Sequence, residues 1–216
     1  MAEPAVSVLL PTIRPSHVAR VLAGLQLAAG DLPLEVVVIA DFPSPGHQPW
    51  IVRPRAGVVD AVQAGVVAAT GRYLFVTNDE TQYEPGMLRL LYDAAEARPG
   101  CLWSPQHLPP FQFVYYDRPF APFPFAHRDV FAQIGGVLDP VYGAFYADPD
   151  LSLRAHRAGV PVVQLDAAKI YHSNETSRAD HRAAVAQHFE RDRQTFRARW
   201  DPELGSPVGR CGPCQY

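Results

Sequence analysis

The chain has 216 residues, of which 48% are apolar, and a formal net charge of −3. This length and composition suffice to bury one substantial core, so we expect a single domain. The charge argues against a protein that binds nucleic acid over its whole surface and against one held to anionic membranes by charge alone. The N-terminal segment does not resemble a signal peptide, and no apolar stretch is long enough to span a bilayer, so we expect a cytoplasmic protein.

Strand-like and helix-like segments alternate through the first hundred residues. Short runs rich in Val, Leu and Ile predict strands, and longer segments that end at Gly30, Gly71 and Gly100 predict helices. We expect strands at 5–12, 34–41, 50–54 and 72–77, and helices at 14–30, 57–71 and 84–100. Such alternation implies right-handed crossovers, and therefore an α/β fold with a mostly parallel central sheet flanked by helices.

Three segments lie at or just beyond the carboxyl ends of these predicted strands. They are the segment Pro11–Arg14, the residue Asp41 and the segment Asn78–Glu80. Ligands of open α/β sheets bind beyond the carboxyl ends of the strands. We therefore expect these three segments, which are far apart in sequence, to line one site.

The pattern changes after Cys101. The segment 104–126 is rich in proline and aromatic residues and predicts irregular strands and loops that form a wall over the site. Its rings could stack on a sugar or pack into the core, and the sequence does not decide between them. Beyond it we expect helices at 127–136 and 147–159, a strand at 160–172 and a long polar helix at 178–199.

The sequence Asn78-Asp79-Glu80 concentrates oxygen-bearing side chains at the end of a predicted strand. Hard oxygen ligands at this position suit Mg²⁺ or Mn²⁺ bridging a diphosphate. The alternative is a polar turn that merely ends the strand, because Asn and Asp are common turn residues.

The order of the segments resembles the family-2 glycosyltransferases of the GT-A fold. VSVLLPTIRP is similar to the opening strand of that family, and VVVIAD to its second strand, which ends in an Asp. GVVDAVQAGVVAATGRYLFVTNDE is similar, without a gap, to the family pattern that leads into its DXD motif. The stretch from IGGVLDP through ADPDLSLRAHRAG to KIYH resembles the final motifs. The resemblance covers about residues 5–177 and lies in the order and spacing of the motifs.

The resemblance implies a single GT-A (Rossmann-like) domain with a C-terminal helix. Residues 1–100 would bind the nucleotide sugar, residues 101–177 would form the acceptor and catalytic half, and residues 178–216 would form the C-terminal helix and tail. The implied reaction is an inverting, metal-dependent transfer of a sugar from a nucleotide sugar, with a UDP-sugar favoured, to an acceptor hydroxyl. Mn²⁺ or Mg²⁺ would assist. The acceptor stays open between a saccharide, a lipid-linked group, a small molecule and nucleic acid.

The resemblance also implies roles for single residues. The general base would be Asp148, and the metal ligands would be Glu80, Asp79 and His172. The nucleotide-sugar site would contain Pro11, Thr12, Arg14, Asp41, Gln63, Asn78 and Asp79. The chain departs from the family pattern at Asn78, where an Asp is usual, and at Gln63, where an Asn is usual. These departures leave the identities of nucleotide and metal open.

The residue types suit this chemistry independently. An acceptor hydroxyl is a poor nucleophile, so a carboxylate within hydrogen-bond reach accelerates its attack by about 10²–10⁴-fold. The alternative for Asp148 is an ordinary helix N-cap before Pro149. Asp150 could favour the same helix through its dipole, and Arg154 could pair with Asp150 or hold a phosphate.

Other functions fit parts of the sequence. The predicted last helix carries six arginines against three acidic residues between 177 and 200. This excess of positive charge suits an anionic acceptor such as a lipid phosphate or nucleic acid, including modified bases in DNA, or simply a solvated helix face. A non-catalytic nucleotide-sugar-binding module with a decayed site would explain Asn78 and Gln63. The Cys211/Cys214 pair lies in a Gly- and Pro-rich tail, where we expect a loose or disulfide-closed segment, with redox or zinc chemistry as the alternatives.

Overall fold

A central eight-stranded sheet organises the computed structural model, which describes residues 3–47, 49–54, 57–109, 114–172 and 185–205. The strands are β1 (Val6–Thr12), β2 (Leu34–Ala40), β3 (Trp50–Val52), β4 (Tyr73–Val76), β5 (Thr81–Tyr83), β6 (Leu102–Leu108), β7 (Val114–Tyr115), β8 (Arg118–Pro119), β9 (Phe125–His127) and β10 (Val162–His172). Their order in the sheet is β3-β2-β1-β4-β9-β6-β10-β5, and β7 and β8 form a separate hairpin.

Helices cover both faces of the sheet. They are α1 (Pro15–Ala29), α2 (Val58–Ala68), α3 (Met87–Ala97), α4 (Arg128–Gln133), α5 (Ala147–Arg157) and α6 (Glu190–Leu204), the last preceded by a π-helical turn at Val185–Phe189. Side chains of β1 alternate between the two cores: Val8 and Leu10 pack with α1 and α3, whereas Leu9 packs with α2, α5 and α6. Burial on both faces explains why β1 reads as a continuous apolar run instead of an alternating one.

The first half of the sheet is parallel. β1 pairs with β2 on one side and with β4 on the other, and β2 pairs with β3, all in parallel. Thr12 lies opposite Ala40 in this register, so the segments that follow β1 and β2 leave the sheet at the same edge. The expected α/β architecture with a mostly parallel sheet is confirmed.

The second half is mixed. β9 is antiparallel to both β4 and β6, whereas β6 and β10 are parallel. The short strand β5 was not expected from the sequence. It pairs antiparallel with the end of β10 and sets Thr81 opposite His172. This pairing brings the segment after β4 against the last residue of β10.

Two details differ from the sequence-based expectation. Helix α5 begins at Ala147, and its N-cap is Tyr146 with a left-handed φ of 63°, so the interpretation of Asp148 as the N-cap is wrong. The predicted helix at 178–199 is observed from residue 185 and extends to Leu204. Residues 173–184 lie outside the described part of the chain, as do Cys211 and Cys214. No described helix combines the length and the apolar character needed to cross a membrane.

Candidate functional site

Asp79 joins the loop after β4 to the loop after β1. Thr12 donates a hydrogen bond from Oγ1 to Oδ2 of Asp79 at 2.6 Å. The guanidinium of Arg14 donates to Oδ1 of the same carboxylate at 3.0 Å. The backbone carbonyl of Asp79 lies 3.1 Å from Nδ1 of His17, in the first turn of α1. Asp79 is 6% exposed, so the two loops meet at a buried charged contact at the carboxyl edge of the sheet.

Glu80 faces two partners, one with each carboxylate oxygen. Its Oε1 lies 2.6 Å from Nη1 of Arg14, and its Oε2 lies 3.5 Å from Nε2 of His172. The side chain is 8% exposed. The site therefore contains the end of β10 as well as the loops after β1 and β4.

Asn78 organises the same loop from its other end. Its Oδ1 accepts hydrogen bonds from the backbone N–H of Glu80 at 3.1 Å and from Oγ1 of Thr81 at 2.7 Å. Its amide nitrogen lies 3.0 Å from Nε2 of His172. An amide nitrogen can only donate, so Nε2 of His172 is the acceptor and carries no proton in this arrangement.

The charge state of His172 agrees with that assignment. Burial lowers the pKa of His172 below its ordinary value, and the nearby Glu80 only partly opposes this effect. The rings of Phe123 and His107 lie 5.9 and 6.2 Å from the imidazole ring. The imidazole is therefore neutral, with its Nε2 lone pair accepting the Asn78 hydrogen bond, and the neutral imidazole is the form of histidine that binds metals.

The donor set fits a divalent cation with two protein ligands. Ligands at right angles around a cation with bonds of about 2.1 Å lie about 3 Å apart, close to the separation of Glu80 Oε2 and His172 Nε2. No group of three or more His, Cys, Asp or Glu side chains within the described ranges could hold a metal. Mg²⁺ commonly takes only one or two carboxylates, with phosphates and water completing its shell. Glu80 and His172 face each other at 3.5 Å, and a cation held between them would replace the Asn78 amide at Nε2 of His172.

Asp148 occupies the first turn of α5. Burial raises its pKa to about 7, against a hydrogen bond from its own backbone N–H. Ser152 links this turn to the rest of the site: it donates to the Asp148 carbonyl at 3.0 Å and accepts from the N–H of Ala121 at 3.0 Å. Two residues after Ala121, Phe123 contacts His172. The segment 121–123 thus contacts helix α5 through Ser152 and the imidazole of His172 through Phe123.

The remaining predicted residues differ in their surroundings. Pro11 is buried within β1, and Asp41 directly follows β2 beside the end of β1. Gln63 points elsewhere: its amide donates to the carbonyl of Leu138, which ties α2 to the loop before α5. Of the expected set, the structure thus brings together Thr12, Arg14, Asn78, Asp79, Glu80 and His172.

Asp192, which the sequence did not single out, holds the loop before Asp148. This fully buried carboxylate accepts hydrogen bonds from the backbone N–H groups of Gly143, Ala144 and Phe145 at 2.9–3.1 Å. Burial tends to raise its pKa, but these bonds and one from Arg191 outweigh burial and lower it below its ordinary value. The one signal in the sequence was that Asp192 is an acidic residue flanked by two arginines, Arg191 and Arg193.

Asp150 is a second buried anchor of the same region. Its carboxylate accepts hydrogen bonds from Arg154 at 2.8 Å, from the indole of Trp200 at 2.9 Å and from the hydroxyl of Tyr142 at 3.1 Å. It is fully buried. Asp150 and Arg154 thus form a structural pair that fastens α5 to α6.

The arginines of α6 are engaged in ion pairs. Arg191 pairs with Asp192, Arg193 with Glu190, and Arg197 with Asp201. Arg199 pairs with Asp139 and Asp150. The arginines of α6 are therefore paired with acidic side chains of the helix itself or of neighbouring elements, which weakens the argument for an anionic acceptor bound along it.

Comparison with known proteins gives a fold but no sequence relative. No protein-family model matches the chain, and no curated protein matches it in sequence. Many solved structures resemble it, among them the following three. GalNAc-T7 with UDP, GalNAc and Mn²⁺ matches with a TM-score of 0.60 at 13% identity over 79% of this chain. TarS of S. aureus matches with 0.61 at 11% over 90%, and the mannosyltransferase PcManGT from Pyrobaculum calidifontis with GDP-Man and Mn²⁺ matches with 0.60 at 17% over 91%.

These likenesses confirm the expected GT-A fold. The identities are too low to carry more than the fold to this chain. The match spans 44% of the GalNAc-T7 and TarS chains and 65% of the PcManGT chain. The chain therefore covers only part of the length of each of these proteins.

Proposed function

We propose that the protein is a metal-dependent, inverting glycosyltransferase that moves a sugar from a nucleotide sugar, with a UDP-sugar favoured, to an acceptor hydroxyl. The observation that carries the proposal is the meeting of Glu80 and His172 beside Arg14 at the carboxyl edge of a GT-A sheet. Two of the structural neighbours hold Mn²⁺ together with UDP or GDP-Man. Residues 1–100 supply the donor half of this site, and residues 101–177 supply the catalytic half.

In this proposal Glu80 and His172 would hold Mn²⁺ or Mg²⁺ at the site of the donor diphosphate. A divalent cation bound there offsets the negative charge that grows on the diphosphate leaving group. Pro11, Thr12 and Arg14 line the nucleotide pocket, and Asp41 contacts the base or ribose. Asn78 holds the loop in place through its bonds to Glu80, Thr81 and His172.

Asp148 acts as the general base. Its carboxylate accepts the proton of the acceptor hydroxyl while that oxygen bonds to the anomeric carbon from the face opposite the diphosphate. The bond between the anomeric carbon and the diphosphate oxygen breaks in the same step, which inverts the anomeric centre. A pKa near 7 places this base close to the operating pH, where general bases are most effective.

A donor screen by thermal shift tests the proposal. Each nucleotide sugar is added with Mn²⁺, and a ligand that binds the folded state raises the melting temperature. We expect stabilisation by one nucleotide class that requires Mn²⁺, followed by Mn²⁺-dependent release of the nucleotide when acceptors are supplied. NMR of the transferred sugar then gives its anomeric configuration, and a retained configuration contradicts the role of Asp148.

The same screen separates the catalytic proposal from a binding module with a decayed site. A decayed module binds a donor but neither hydrolyses nor transfers it. The raised pKa of Asp148 supports the catalytic alternative, because catalytic acids and bases commonly have pKa values shifted toward the operating pH.

A further inference from the structure

The positively charged guanidinium of Arg14 contacts both acidic side chains of the loop after β4, Asp79 and Glu80. Its Nη1 is 3.0 Å from Asp79 Oδ1 and 2.6 Å from Glu80 Oε1. The three side chains are only 16%, 9% and 8% exposed. Charges at this distance and burial interact far more strongly than on a solvated surface.

The backbone directs Arg14 toward this position. Arg14 is the N-cap of α1, and its extended backbone turns the chain from β1 into the helix. Its N–H donates to Oγ1 of Thr12 at 3.1 Å, and the same Oγ1 donates to Asp79. The ion pairs of Arg14 with Asp79 and Glu80 therefore belong to an ordered turn.

The two oxygens of Glu80 have different neighbours. Oε1 faces Arg14 and Oε2 faces His172. A divalent cation bound by Glu80 and His172 would stand within a few ångströms of the Arg14 guanidinium, and their like charges would repel. Arg14 and the cation thus compete for the same carboxylate.

We propose that Arg14 is an internal counter-ion that keeps Glu80 occupied until a nucleotide diphosphate arrives. The diphosphate offers the guanidinium a bidentate anionic partner, so Arg14 exchanges Glu80 for phosphate and leaves the carboxylate to the cation. Binding of the cation and of the nucleotide are then coupled, and by linkage each raises the affinity for the other. This inference rests on the proposed function, from which it takes Glu80 and His172 as the cation ligands and a nucleotide diphosphate as the anionic ligand.

The test measures Mn²⁺ binding in the absence of any nucleotide, by electron paramagnetic resonance of the free ion. Wild type is compared with Arg14→Met, which keeps an unbranched apolar stem and removes the charged guanidinium. We expect the variant to bind Mn²⁺ about tenfold or more tightly, since a cation next to the ligand has been removed. Arg89→Met, at an exposed arginine paired with Asp31 and Asp93, controls for the loss of one positive charge.

Two further variants keep the test decisive. Adding Glu80→Gln to Arg14→Met should abolish the gained affinity, which locates the ion. Arg14→Gln replaces the Met variant if circular dichroism shows that the latter does not fold. UDP and GDP are then added at fixed Mn²⁺, and the wild type should gain more Mn²⁺ affinity from the nucleotide than the Arg14 variant does.

Equal Mn²⁺ affinity of wild type and Arg14 variant without nucleotide overturns the inference, even if both bind Mn²⁺ with UDP or GDP. Absence of Mn²⁺ binding under every condition overturns it as well. Failure of the proposed function looks different: the Arg14 variant gains Mn²⁺ affinity, but wild type neither binds nor turns over any nucleotide sugar.

Discussion

Asn78 and His172 are joined by a 3.0 Å hydrogen bond although 94 positions separate them in the chain. The contact exists because β5, directly after the Asn78 loop, pairs antiparallel with the end of β10. A three-residue strand thereby sets the imidazole beside Glu80. The proposed cation site thus depends on a strand pairing as much as on the residues that line it.

Replacing Asp148 with Asn should abolish turnover while leaving donor binding intact. The Asn side chain cannot take the acceptor proton, so the rate should fall by about 10²–10⁴-fold. Steady-state kinetics gives the loss in kcat, and calorimetric titration with nucleotide sugar and Mn²⁺ gives the donor affinity. Asp93→Asn, at an exposed carboxylate paired with Arg89, is the matched control. Turnover within about threefold of wild type would reduce Asp148 to a structural residue.

Turnover should rise with pH up to about pH 7 and then level off. Asp148 has a pKa of about 7 and must be ionised to act as a base, so kcat/KM should fall about tenfold per pH unit below that value. The measurement is a pH profile of kcat/KM at saturating Mn²⁺. A profile that stays flat down to pH 5 is incompatible with Asp148 as the base.

The same group should make the folded state less stable as the pH rises. Its folded-state pKa of about 7 lies above its ordinary value of 3.8, so its protonated form is favoured by folding. The stabilisation is complete below about pH 4 and is lost as the pH rises to about 7. Asp148→Asn should therefore melt at a higher temperature than wild type at pH 8, and the gap should close toward pH 4. An equal gap at both pH values would mean that the substitution acts through packing.

Replacing Asp192 with Ala should destabilise the fold and free the loop that precedes α5. Three backbone N–H groups would lose their acceptor in a buried setting, at a cost of about 3 kcal/mol or more. Urea unfolding measures this loss. Because folding lowers the pKa of Asp192, its stabilisation is present at neutral pH and lost as the pH falls through the lowered pKa. Glu190→Gln, on the exposed part of the same helix, should change the stability by less than about 0.5 kcal/mol.

The first half of the fold followed from the sequence because its strands are buried on both faces. Runs such as Val6–Leu10 and Val36–Ala40 have only one plausible role in an α/β chain, and glycines mark the ends of the intervening helices. Because the carboxyl ends of parallel strands lie at the same edge of a sheet, Thr12, Arg14 and Asp79 were expected to lie together, as observed.

The second half could not be predicted to the same depth. The three residues of β5 carry no periodicity, and the pairing of β5 with β10 is a long-range contact. The N-cap of α5 was assigned wrongly because Asp148 before Pro149 has the usual form of an N-cap, whereas the observed cap is Tyr146 in a left-handed conformation. Asp192 looked like one charge of a polar helix, and only the packing of that helix shows its carboxylate buried against backbone N–H groups.

The most direct test is the dependence of nucleotide affinity on Mn²⁺ in wild type, Glu80→Gln and His172→Ala. Calorimetric titration with UDP and GDP, with and without Mn²⁺, provides the numbers, and Glu84→Gln at the far end of β5 serves as the control. If Glu80 and His172 together bind a cation that contacts the diphosphate, Mn²⁺ should raise the nucleotide affinity of wild type and of the control by about tenfold or more. Both site variants then lose that gain. Equal Mn²⁺ enhancement in all four proteins would contradict the account.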